Sequence, residues 1–156
     1  MASMNLAYLA GIIDGEGCIG FTRIRGQLVP RVSVTNTNLQ LIEDLKSKFG
    51  GCILTRKPHK PNWKPASHWV ISNRKAVELI DRIYRYLRVK SDQAKCLFLH
   101  DAIRPGKGFR WTDEGIESCK LLEDQIRWLN KKGSESAIEP MTIAYSEARE
   151  GKKRTK

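Results

Sequence analysis

Nine residues near the start, Leu9-Ala10-Gly11-Ile12-Ile13-Asp14-Gly15-Glu16-Gly17, restrict what this chain can fold into more than any other stretch. Residues Asn5 to Ile13 predict a short helix, followed by two carboxylates set among glycines. Ala7, Ala10 and Gly11 lie three and four apart, so one side of that helix lets a second backbone approach closely. Gly15 and Gly17 are expected to supply the left-handed or tight geometry that stops it. Asp14 and Glu16 then face the negative pole of the helix dipole, at a cost of about 0.3–1 kcal/mol each. A compensating cation is needed, and in a protein of net charge +11 a metal is one candidate. The plainer alternative is a buried helix with an acidic end closed by glycines.

The rest of the chain narrows the partner. Lys and Arg outnumber Asp and Glu by 28 to 17, which points to a polyanion such as nucleic acid, with ribosomal-type binding and anionic membrane surfaces as competitors. No apolar run approaches the roughly 20 residues of a membrane span, so no spanning segment is expected, and of the competing partners nucleic acid is expected rather than a membrane. The start Met1-Ala2-Ser3-Met4 has no basic-then-apolar signal layout. Cys18, Cys52, Cys96 and Cys119 form no CxxC pair and the histidines are scattered, so reduced core thiols in an intracellular protein are expected rather than zinc.

Periodicity orders the elements. Cys18 to Arg25 alternates as a strand, Gly26-Gln27 suits a turn, and Leu28 to Thr35 reads as the antiparallel return. Asn38 should cap a helix buried through Leu41, Ile42, Leu45 and Phe49, with Gly50-Gly51 as its stop. Cys52 to Lys57 is a third strand, Pro58 to Pro65 a loop, and Ser67 to Ser72 a fourth strand. Asn73 is expected to cap a helix running to about Leu87. Val89-Lys90-Ser91 hinges into another with Ala94, Leu97, Phe98 and Ala102 inside, and Thr112 opens the last, carrying Ile116, Cys119, Leu122, Ile126 and Leu129. The order α-β-β-α-β-β-α, with two further C-terminal helices, predicts an α+β domain over residues 1–133. In it a four-stranded antiparallel sheet lies under a helical layer. Residues 134–156 read as a basic tail.

Charge picks a face of that sheet. Arg23, Arg25, Arg31, Arg56, Lys57, Lys60 and Lys64 lie on the strands and their connections. No carboxylate stands between Gly17 and Ser72 outside the helix from Asn38. With Val32 and Val34 in the core, Arg31, Ser33 and Thr35 should look outward, joined by Thr22, Ile24, Arg56, His68 and Val70. Arg23 and Arg25 break that parity and are assigned to phosphates at the hairpin tip. Trp63 and Trp69 are expected to pack under the sheet.

The nine-residue stretch resembles the LAGLIDADG motif of homing endonucleases at Leu9, Ala10, Gly11, Ile13, Asp14 and Gly17, and the element order over roughly residues 5–103 is similar to that family's fold. One motif implies a homodimer, with Ala7, Ala10, Gly11 and Asp14 at the subunit contact. The resemblance implies Glu16 and the carbonyl of Gly15 as ligands of a catalytic divalent metal, Mg²⁺ with Mn²⁺ as substitute. It further implies Asn36 as the residue positioning water and Lys90 as a catalytic lysine. Two copies of Glu16 meeting at a twofold axis would hold cations between them. The implied activity is cleavage of both strands of a long pseudo-palindromic double-stranded DNA, leaving short 3′ overhangs, by a protein of mobile-intron origin. The alternative is a non-cleaving helper that binds intron RNA. Organelle (chloroplast or mitochondrion) and prokaryotic cytoplasm both fit as compartments.

Overall fold

Asn5 opens the first helix, its side chain accepting the Tyr8 N–H at 2.7 Å, in a computed structural model that describes residues 4–131. That helix, α1 (Leu6–Glu16), runs three residues past the expected stop and carries Asp14, Gly15 and Glu16 in its last turn. Neither Gly15 nor Gly17 has a positive φ. Gly17 is required for space instead: a Cβ there would stand 2.7 Å from the Ile13 Cα, because the chain turns directly from helix into strand. The stop is steric.

Strands β1 (Gly17–Ile24) and β2 (Gln27–Asn36) form a hairpin whose two-residue turn is Arg25-Gly26, at φ 50° and 80°, one residue earlier than expected. Such a turn matches the right-handed twist of the strands it joins. Helix α2 (Leu39–Phe49), capped by Asn38, leads to β3 (Cys52–Arg56) and β4 (Ala66–Ser72). The sheet order is β1-β2-β4-β3, antiparallel throughout. Pro30 is tolerated on an inner strand because β4 has ended beside it, and its carbonyl accepts the Asn73 N–H at 2.9 Å. Asn73 therefore does not cap the next helix through its side chain. It takes a left-handed turn at φ 62° ahead of α3 (Arg74–Ile83). The helix expected to reach Leu87 ends early, in a 3-10 turn over Tyr84–Tyr86.

One face of the sheet, through Ile19, Val32, Val34, Trp69 and Ile71, packs on Leu9 and Ile13 of α1, Ile42 and Leu45 of α2, and Ile80 and Ile83 of α3. Helix α4 (Ser91–Ile103) adds Ala94 and Leu97, and α5 (Asp113–Leu129) adds Leu122 and Ile126. Helix α5 also closes the β1 edge, since Asn130 donates to the Ile19 carbonyl at 3.1 Å. Among the described residues nothing packs on the sheet face opposite the helices. The expected tail from residue 134 onward lies outside the described residues.

Candidate active site and nucleic-acid interface

The last turn of α1 gathers residues from three distant parts of the chain. Asn36, at the end of β2, donates its side-chain amide to Glu16 Oε2. Its orientation is set from the other side, because Asn36 Oδ1 accepts the Asn38 N–H at 2.8 Å. One oxygen of the exposed Glu16 carboxylate is thus held and the other, Oε1, is left to the solvent side. Lys90 reaches the same turn, with Nζ donating to the Asp14 carbonyl at 2.5 Å. Its ammonium sits where a helix end favours a cation.

Asp14 makes its side-chain hydrogen bonds within the protomer. Its carboxylate accepts the Arg88 N–H at 2.7 Å and the Lys90 N–H at 2.9 Å, tying α1 to the segment that enters α4. Ala10 is wholly buried in its own protomer. Two of the four residues expected at a dimer contact are therefore committed within the protomer. Ala7, Gly11 and Gly15 form the exposed stripe instead, beside Tyr8. A Cβ at Gly11 or Gly15 would meet nothing within 4 Å, so none of the described residues calls for glycine there.

Among the described residues no three His, Cys, Asp or Glu side chains converge as a metal cage. What stands at the α1 terminus is a solvent-facing carboxylate beside helix carbonyls. Hard oxygen donors of this kind fit Mg²⁺ rather than a soft metal, but one protomer supplies too few of them for a complete site.

Strand pairing resolves the sheet face. Cys18, Gly20, Thr22 and Ile24 of β1 lie opposite Ser33, Arg31, Val29 and Gln27 of β2. These in turn align with Ser72, Val70 and His68 of β4 and with Cys52 and Leu54 of β3. Thr22, Ile24, Arg31, Ser33, Thr35, His68 and Val70 share the open face as parity expects. Arg56 belongs to it by register, and its side chain lies outside the described residues. Gln27 and Ser72, also outward, were missed; extending the Val32 parity across both hairpins would have found them. Cys18 and Cys52 are exposed rather than core thiols. Burial pushes the Cys96 thiol up to about 12 and raises that of Cys119, which disfavours the thiolate in both.

Arg23, assigned to phosphates by its place near the hairpin tip, is engaged within the protomer. It lies on the helix side of β1 and donates to both Glu123 oxygens, at 2.5 and 3.3 Å, and to the Gly26 carbonyl at 3.0 Å. The hydrogen bond to Arg23, helped by Arg127, holds the Glu123 carboxyl below the usual carboxylate range. Arg25 stands exposed in the hairpin turn. Lys57, Lys60 and Lys64 are exposed on the β3–β4 loop, where Lys60 lies 5.5 Å from the Trp63 ring. Trp63 is 57% exposed, contrary to expectation, because that loop extends beyond the core. Trp69 is wholly buried and donates to the Gly50 carbonyl at 2.8 Å.

Comparison with known proteins bears on both sites. A family profile described as a LAGLIDADG-like domain matches residues 3–84. No curated protein matches the chain. Among solved structures, the homing endonuclease I-CvuI in complex with its target, in the presence of calcium, aligns at a TM-score of 0.64. Its identity is 19%, over 92% of this chain and 94% of that one. The archaeal intron-encoded homing endonuclease I-Vdi141I, complexed with DNA, aligns at 0.60 with 19% identity over 94% and 97% of the two chains. I-LtrWI, bound to target DNA, aligns at 0.65 with 17% identity, over 86% of this chain but only 47% of that one. At these identities the likeness establishes the fold.

Proposed function

Since the profile match over residues 3–84 makes this chain a member of the LAGLIDADG family, we propose that it is a site-specific endonuclease that cuts double-stranded DNA as a homodimer. The observation that carries the reading is the Glu16 carboxylate, fixed by Asn36 on one side and open on the other, on the same helix end that Lys90 reaches.

The exposed stripe of Ala7, Gly11 and Gly15 supports the dimer, because mid-helix glycine costs about 1 kcal/mol relative to alanine and none of the described residues requires it. Bringing two such stripes together sets the two α1 termini side by side and completes an oxygen donor set that one protomer lacks. Covering only 47% of I-LtrWI, a chain about twice as long, agrees with two copies doing the work of one longer chain.

Glu16 and the Gly15 carbonyl, from both copies, would hold the divalent cation. When bound, it would activate water and stabilise charge on the phosphoryl oxygens. Asn36 keeps the Glu16 carboxylate in one orientation, so no reorganisation is needed as charge develops. Lys90 brings a positive charge to the same helix end, placed to offset the extra negative charge of the transition state. Asp14 takes no part in the chemistry; by accepting the Arg88 and Lys90 N–H groups it fixes where the lysine starts. The open sheet face, with Lys57, Lys60 and Lys64 beside it, is the surface for the duplex: phosphates at the rim and base edges at the centre.

The test is cleavage of a randomised DNA library in Mg²⁺ by the wild type and Glu16→Gln, with binding measured in Ca²⁺. Cleavage lost in the variant while binding survives is the expected result. No cleavage by the wild type, with tight binding to structured intron RNA, would replace the nuclease with a splicing helper.

A further inference from the structure

Three polar side chains at the centre of the open sheet face form one hydrogen-bonded set. Arg31 of β2 donates from Nη2 to His68 Nε2 on β4 at 2.8 Å, and His68 Nδ1 lies 2.5 Å from Thr35 Oγ1, back on β2. Arginine can only donate, so Nε2 must accept. A neutral ring then carries its proton on Nδ1 and donates to Thr35, leaving the threonine hydroxyl proton free to turn outward. The pair between Arg31 and His68 in the register, Ser33 and Val70, is 7% and 8% exposed, as a side chain laid across it would leave it. Arg31 itself stands opposite Gly20 and Ser72, neither large enough to crowd it.

The free donors of Arg31 are few and aimed. Its Nε is shut from solvent without a partner among the described residues, so only the Nη groups can meet a ligand, and Nη1 makes no hydrogen bond among them. Both strands are inner strands of the sheet, whereas Arg25 and the loop lysines stand at its rim. In a duplex seated on the sheet, inner strands meet the groove floor and rim residues meet the phosphates. A tethered guanidinium over the groove floor matches the paired acceptors O6 and N7 of guanine, which no other base presents together in the major groove.

We propose that Arg31 reads one guanine in each half-site, with His68 as the residue that positions it and Thr35 as the group that sets the histidine tautomer. This rests on the reading of the open face as the duplex-binding surface. It separates Arg31 from the other basic residues, which would bind regardless of sequence. His68 does its work without touching DNA: its lone pair holds the guanidinium plane at one angle.

The experiment is binding selection on a duplex library randomised at single positions, in Ca²⁺. It uses the full chain as wild type, Arg31→Ala, His68→Leu and His68→Gln, each checked for folding by thermal melting. The wild type should select guanine at one position per half-site. Arg31→Ala and His68→Leu should each lower that selectivity by about 10–100-fold, the range of one bidentate base contact, leaving other positions unchanged. Glutamine can present an acceptor at similar reach, so His68→Gln should keep most of it. Arg31→Ala that weakens binding equally for all sequences would make Arg31 a phosphate contact and overturn the assignment. His68→Leu with its guanine preference intact would overturn the positioning role. A wild type that binds duplex DNA without any preference would overturn the assignment and the endonuclease reading together, whereas loss at this position alone spares the latter.

Discussion

Single residues at the α1 terminus divide their labour according to where their hydrogen bonds go. Asp14 accepts two backbone N–H groups, so Asp14→Asn, with one acceptor oxygen, leaves one of them unsatisfied. The expected loss is about 1–2 kcal/mol in a urea titration. Because Asp14 also places Lys90, cleavage should fall in parallel with the position of the lysine. His100 makes a different residue-scale prediction. It is buried between Phe21 and Trp111, with ring centroids at 5.2 and 5.6 Å, and burial lowers its pKa. Below the ordinary value of about 6.5 the unfolded chain takes up a proton that the folded protein resists. Stability should therefore drop as pH falls from about 7 toward 5, and His100→Leu should flatten that part of a chemical-denaturation profile against pH.

The elements show glycine used for two opposed purposes within one helix. Gly17→Ala would drive a Cβ to within 2.7 Å of Ile13 and should destabilise the protomer, read as a lower melting temperature. Gly11→Ala and Gly15→Ala meet nothing, so each should leave the protomer as stable or more stable, by up to about 1 kcal/mol. If α1 packs against a second α1, the same two changes should weaken dimerisation in sedimentation equilibrium. A dimer that ignored both would mean that subunits meet elsewhere. Helix α5 matters at this scale too, since it engages Arg23 and covers the β1 edge, while the opposite face stays open.

As a whole molecule, the protein carries a net charge of +11 and presents one open sheet face. The proposed rim contacts to phosphate would release counterions, so affinity for duplex DNA should fall steeply with salt. A dimer making about 6–10 such contacts loses about 10³–10⁵ in affinity between 50 and 200 mM. A filter-binding series checks this. A shallow slope would place the excess charge away from the nucleic acid. Lys57→Ala or Lys64→Ala should reduce the slope without changing which sequence is preferred, the opposite of the pattern expected for Arg31.

Much of this is legible in the sequence. The order of elements, the antiparallel sheet and the outward set of Thr22, Arg31, Ser33, Thr35 and His68 follow from alternation, because a strand's period of two is a local property of the backbone. The resemblance points to Glu16, Asn36 and Lys90, and the fold brings Asn36 onto Glu16 and Lys90 onto the turn just before it. Tertiary structure alone decided what depended on a distant neighbour. Arg23 and Arg25 read alike in sequence, yet Glu123, a hundred residues from Arg23, claims one and leaves the other exposed. Ala10 and Gly11 are adjacent and similarly small, and only packing turned one into the core and the other to the surface. Gly17 was recognised as a stop, but whether it served φ or space depended on where Ile13 lay once the chain had turned. Local periodicity carries the elements, whereas the fate of a given side chain is set by non-local contacts that no spacing encodes.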